Sequence, residues 1–197
     1  MTTKADSPDE KPVVEFRKKS EWTKWLSKNH DKSSGVWLRM AKKDSGLESI
    51  SRGDALDAAL CYGWIDGQSR SEGDKTWLQK YTPRTKRSIW SKINREKVQA
   101  LIEIGEMRPA GLAEIERAKK DGRWDAAYDS SKTITVPDDL QKALDKNKKA
   151  KAFFEKLDSR NRYAVLFRTH GAKKQETRER RIKQFVEMLE RGEKIYP

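Results

Sequence analysis

Residues 81–98, YTPRTKRSIWSKINREKV, carry six Lys or Arg against one Glu. Pro83 stiffens a turn there, and Arg84, Lys86 and Arg87 follow it just ahead of a helix start at Ser91. The first N–H groups of a helix have no intrahelical partner and carry positive potential, so arginines beside them make a ready anion site. Trp90 is placed to cover one side of it. The Ser88 and Ser91 hydroxyls and the Asn94 amide are suited to fixing a carboxylate or phosphate. Trp64, Asp66 and Arg70, in WIDGQSR, approach the same turn across an expected hairpin. The ligand-binding set expected is therefore Trp64, Asp66, Arg70, Arg84, Arg87, Ser88, Trp90, Ser91 and Asn94. The competing reading is a solvated basic turn, with Trp90 packed as a staple and Ser91 only capping.

Asp66 is the one candidate for acid–base chemistry. Beside Trp64 and Ile65, partial burial would raise its pKa. The alternative is an Asp-Gly turn or bulge whose carboxylate accepts backbone hydrogen bonds. No second carboxylate or histidine stands at a telling spacing, so the catalytic set stays unknown. His30 and His170, the two histidines, fall near expected helix C-termini, where a protonated ring favours the dipole. With one cysteine and neither HExxH nor CxxC, no metal is expected. Cys61 lies next to an apolar helical stripe and reads as a buried structural thiol. The eleven glycines form neither GxGxxG nor GxxxxGK[ST], and no cofactor is expected.

The 197 residues suit one domain or a compact domain with an appendage. Only 35% are hydrophobic and 38% are charged, but seven Trp, five Tyr and five Phe argue for a packed core. A net charge of +13 draws the chain towards polyanions: an anionic small molecule, an acidic partner or nucleic acid. Residues 70–97 and 151–197 each contribute +6 of it. No apolar run is long enough to span a bilayer, and the start MTTKADSPDEKPVVEF lacks the apolar core of a secretory signal. The expected location is cytoplasmic. Nothing in the pattern fixes an oligomeric state.

The elements that must position these residues follow from spacing. Residues 1–12 have almost nothing to bury, which predicts a disordered tail. Ser20 is the expected cap of a helix through Trp22, Trp25 and Leu26. VWLRMAK predicts a strand with Val36, Leu38 and Met40 on one face and Trp37 and Arg39 on the other. Ser51 and Asp54 cap a helix ending at Gly63. WIDGQSR and TWLQKYTPR predict a hairpin turning at Gly73–Asp74, completing a small antiparallel sheet. A helix from Ser91 would bury Ile93, Val98, Leu101 and Ile102, and Pro109 opens the next. RWDAAYDSSKTITVP has no helical period and predicts an aromatic-packed connector. From Pro137 the chain reads as three or four helices, the last burying Ile182, Phe185, Val186 and Leu189. The fold class is α+β: a tail over 1–12, an α+β domain over 13–136 and a helical module over 137–197 packed on it.

Five blocks, in order, resemble one known family. They are SGVWLRMAKK, ALCYGWIDGQ, YTPRTKRSIWSKIN, PAGLAEIERAKKDGRWDAAYD and SRNRYAVLFRTHGAKKQETRERRIKQFVEMLERG, together spanning about residues 16–192. The chain is identified by them as similar to the YdeI or OmpD-associated (OmdA-type) bacteriocin-protection proteins. That resemblance implies a helical C-terminal module and a role in stress or resistance. It brings no reaction, cofactor or catalytic residue to carry over. The reading is a non-enzymatic, intracellular protein that binds an anionic ligand or partner through the 64–94 surface. One alternative is nucleic-acid binding by the same basic surface, and another is an enzyme on a small anionic substrate with Asp66 as acid or base.

Overall fold

The computed structural model describes residues 11–197. Most of the tail expected over 1–12 lies outside the described residues. Contacts divide the chain into two units. The first runs up to Ile89 and resumes at Asn94–Asp125. The second combines Trp90–Ile93 with Ala126–Pro197. No described helix is long and apolar enough to cross a membrane.

The first unit is built on a four-stranded sheet, β1 (Val13–Glu15), β2 (Val36–Ala41), β3 (Trp64–Glu72) and β4 (Thr76–Pro83), in the order β1-β2-β4-β3. The β3–β4 hairpin and its antiparallel pairing to β2 follow the period-two pattern. Gly73 takes φ 63° in the connecting turn, a conformation that suits glycine. The sheet is mixed rather than wholly antiparallel, because β1 pairs with β2 in parallel. Three residues are too few to show alternation, and Pro12, expected in the tail, accepts from Trp37 N–H at 2.9 Å. Between Asp66 and Ser69 the register slips by a bulge. The fully buried Gln79 amide donates to the Gly67 and Gln68 carbonyls there, satisfying groups that the ladder leaves over.

One face of the sheet carries Val36, Leu38, Met40 and Tyr81 and is buried against α1 (Lys19–Asn29) and α2 (Arg52–Cys61). Trp22 and Trp64 are fully buried; Trp25 stacks on Trp22 at 5.2 Å, and Trp64 meets both edge-on. Their indole N–H groups donate to the Ala55 and His30 carbonyls, so burial leaves neither donor unmet. α1 begins one residue before the Ser20 cap expected from sequence. Glu21 reaches back to the Arg17 and Lys18 N–H groups instead. α2 is capped by Ser51 as its pattern requires. Its end lies close to α4 (Pro109–Lys120) at Gly111, where a Cβ would meet the Cys61 backbone, and Pro109 occupies the first turn of α4. α3 (Lys92–Glu103) buries Val98 and Leu101, but Ile93 and Ile102, expected on the same core face, are exposed.

The second unit is helical: α5 (Asp138–Asp145), α6 (Lys148–Glu155), α7 (Ser159–His170) and α8 (Gln175–Glu190). Leu140, Leu144, Phe154, Val165, Leu166, Ile182, Phe185 and Leu189 form its core, with Val186 at the edge. Ser91 bridges to Tyr128 within this unit, and the Trp90 carbonyl accepts from Tyr128 N–H at 3.0 Å. The connector is thus tied down at Tyr128 by its backbone, and the Tyr128 ring meets Phe167 edge-on at 5.1 Å. The α+β class with a helical C-terminal region is what the sequence predicts.

Candidate functional site

β4 ends at Pro83, opposite Trp64, and the chain enters a loop over residues 84–88. Arg84 N–H donates to the Gly63 carbonyl at 2.9 Å, and Arg84 Nη1 donates to the Ile89 carbonyl at 3.2 Å. Arg84 is 4% exposed. It is not the solvated arginine that a basic turn implies: its guanidinium spans the loop from within. Ser88 Oγ accepts from Thr85 N–H, and Thr85 Oγ1 accepts from Arg87 N–H, so both hydroxyls serve the loop itself.

Two arginines from beyond α3 complete the loop's support. Arg117, on α4, donates to the Arg84 carbonyl at 3.4 Å. Arg123, just past α4, donates to the Ser88 carbonyl at 2.8 Å while holding Asp121. Glu114 pairs with Arg117, yet burial pushes its carboxyl above the usual range despite the charges of Arg117, Arg123 and Arg84. Behind the loop three arginines, Arg84, Arg117 and Arg123, thus face two carboxylates, Glu114 and Asp121. On its outer side Lys86 and Arg87 are exposed, and no carboxylate among the described residues forms an ion pair with either.

The other expected ligand residues divide among different surroundings. Trp64 is in the aromatic core. Asp66 lies opposite Tyr81, is about one-fifth exposed and is held by Arg52 at 3.4 Å. Burial, helped by the Asp66 charge, pushes the Tyr81 hydroxyl up. Arg70 lies over Trp37, 4.5 Å from the ring centroid, with Lys80 at 5.7 Å, on the outer sheet face. Trp90 and Ser91 are buried, at 2% and 8% exposure, and Asn94 is half-buried in the first turn of α3. Arg84, Arg87 and Ser88 thus share the loop, and Asp66 engages a different partner. Arg117, Arg123 and Glu114 were missed because their bearing on the loop depends on chain folding back from about 30 residues away. The Glu114–Arg117 spacing of three on one helix was the available signal.

His30 Nδ1 lies 3.0 Å from the Leu26 carbonyl, and His170 Nε2 lies 3.0 Å from that of Thr135, both at helix ends. Cys61 is 4% exposed, and burial pushes its thiol up to about 11. Among the described residues, no three of His, Cys, Asp or Glu gather as a metal site.

Comparison with known proteins finds two family models. One, a domain of unknown function (DUF8412), matches residues 14–114, just over half of the chain. The other, OmdA, described as bacteriocin-protection, YdeI or OmpD-associated, matches residues 133–192. No curated protein and no solved structure matches. The chain belongs to the DUF8412 family through residues 14–114, and over residues 133–192 it carries the OmdA (YdeI or OmpD-associated) domain that its sequence resembles.

Proposed function

We propose that this chain is a non-enzymatic stress or resistance protein that binds an anionic small molecule or acidic partner through the 84–88 loop. The observation that supports this most is the loop's fixed backbone. Arg84, Arg117 and Arg123 occupy the carbonyls of residues 84, 88 and 89, leaving Lys86 and Arg87 exposed on a rigid support. Preorganised cations give up little entropy when an anion arrives. The test is calorimetric titration of the native chain and a Lys86→Gln, Arg87→Gln variant with phosphate, nucleotides, acidic metabolites and a short oligonucleotide. Each charge-assisted bond lost costs roughly 1.5–3 kcal/mol, about tenfold or more in affinity. Equal, weak binding of every anion by both proteins refutes the proposal.

A nucleic acid is the second reading. Arg70 and Lys80 over Trp37 extend positive charge along the sheet that leads into the loop, which suits an extended polyanion. Its mark is a steep fall of affinity with salt that the double variant flattens, since fewer counterions are released.

A further inference from the structure

A cleft of about 580 Å³ opens on the helical unit, beside α7. Arg160, Tyr163, Phe167 and Arg168 line it from one face of that helix, at spacings of three, seven and eight residues. Tyr196 lines it too, returning from the C-terminal segment.

Both guanidiniums are directed at that one ring. Arg160 Cζ lies 4.2 Å and Arg168 Cζ 5.8 Å from the Tyr196 centroid. No carboxylate among the described residues forms an ion pair with either, although Asp158 sits at the start of the helix. Two like charges sharing a ring repel each other, and an anion between them removes that cost.

The backbone at Tyr196 is held in place by a buried side chain. Asn161, 2% exposed, donates from Nδ2 to the Tyr196 carbonyl at 3.1 Å and accepts from Tyr196 N–H at 2.8 Å. The same amide donates to Asp158 Oδ2 at 2.9 Å. On the opposite wall Tyr163 spends its hydroxyl on the Asp129 carbonyl and packs on Phe167 with centroids 5.6 Å apart, so it offers the cleft a ring. Fixed aromatic surface, two unneutralised guanidiniums and a volume in the range of small-ligand sites occur together.

We propose that this cleft binds a planar organic anion, its acid group held by Arg160 and Arg168 and its ring packed among Tyr163, Phe167 and Tyr196. The site is independent of the 84–88 loop.

The experiment is calorimetric titration of the full chain with AMP, benzoate and inorganic phosphate, repeated on an Arg160→Gln, Arg168→Gln variant and on Tyr196→Leu. AMP or benzoate should bind at sub-millimolar concentration, tighter than inorganic phosphate. The arginine variant should lose at least tenfold for all three. Tyr196→Leu should weaken the ring-bearing probes several-fold and leave phosphate unchanged. An Arg180→Gln, Lys183→Gln variant removes the same charge from exposed positions on α8, and Lys86→Gln, Arg87→Gln removes it from the loop. Neither should affect binding at this cleft. Absence of binding by either ring-bearing probe at millimolar concentration overturns the proposal. So does an equal loss in the α8 variant, which means general electrostatic attraction.

Discussion

Arg123 donates to the Ser88 carbonyl at 2.8 Å across 35 positions of sequence, from a side chain only 11% exposed. The loop that carries the exposed cations is thereby anchored to the end of α4. Replacing Arg123 by Met keeps most of its apolar bulk but leaves the Ser88 carbonyl without this donor. A loss of about 2 kcal/mol in urea unfolding is expected. Arg87→Gln, on the exposed side of the same loop, should stay within about 0.5 kcal/mol of the native protein. Equal effects from the two would show that the loop is not held from behind.

Cys61 offers a pH test. Burial raises its thiol to about 11 from an ordinary value of 9.0. A thiol raised in the fold adds stability below pH 9 that is lost as pH climbs through 11. Iodoacetamide should therefore label the native protein slowly at pH 8, and rapidly once urea exposes the residue. Native labelling at pH 8 as fast as in urea contradicts the buried placement.

The ion pair of Asp139 with Arg178 joins α5 to α8 at 2.5 Å, and that hydrogen bond holds the carboxyl below its usual range. An acid lowered in the fold contributes stability above its unfolded pKa and loses it as pH falls through the folded one. Asp139 is more than a third exposed, so solvent screening limits the pair to roughly 1 kcal/mol or less. Asp139→Asn should cost that much at pH 7 and nearly nothing at pH 2. A cost that persists unchanged in acid would assign the effect to packing rather than charge.

Local signals were enough for β2, the β3–β4 hairpin and α2, where strand-forming residues around the Gly73 turn or a Ser51 cap act within about ten residues. They failed where partners lie far away. β1 exists because Val13–Glu15 find an open edge on β2, not because three residues prefer extended structure. Ile93 and Ile102 look like core residues on a helical wheel, yet the buried face of α3 runs through Val98 and Leu101. From its neighbours Arg84 reads as an anion ligand on a turn, because nothing adjacent in sequence announces Arg117 and Arg123. The cleft was invisible for a similar reason: its ring, Tyr196, reaches α7 across 35 positions through Asn161.

The same substitution in two helices should have opposite signs. Gly53, near the start of α2, has only Ser51 Oγ, at 3.8 Å, near where a Cβ would stand. Alanine there should stabilise by a few tenths to about 1 kcal/mol through backbone entropy alone. Gly111, on α4, has the same propensity to gain, but its Cβ would stand 2.8 Å from the Cys61 carbonyl carbon and closer still to the oxygen. That oxygen already accepts from Arg108 N–H at 3.2 Å, so the end of α2 is backbone pinned in place and not a side chain that can swing aside. Overpacking against it costs about 1–3 kcal/mol, which outweighs the propensity gain. Gly111→Ala should lower the urea midpoint and Gly53→Ala should raise it. If both raise it, α2 and α4 do not approach as closely as the glycine requires.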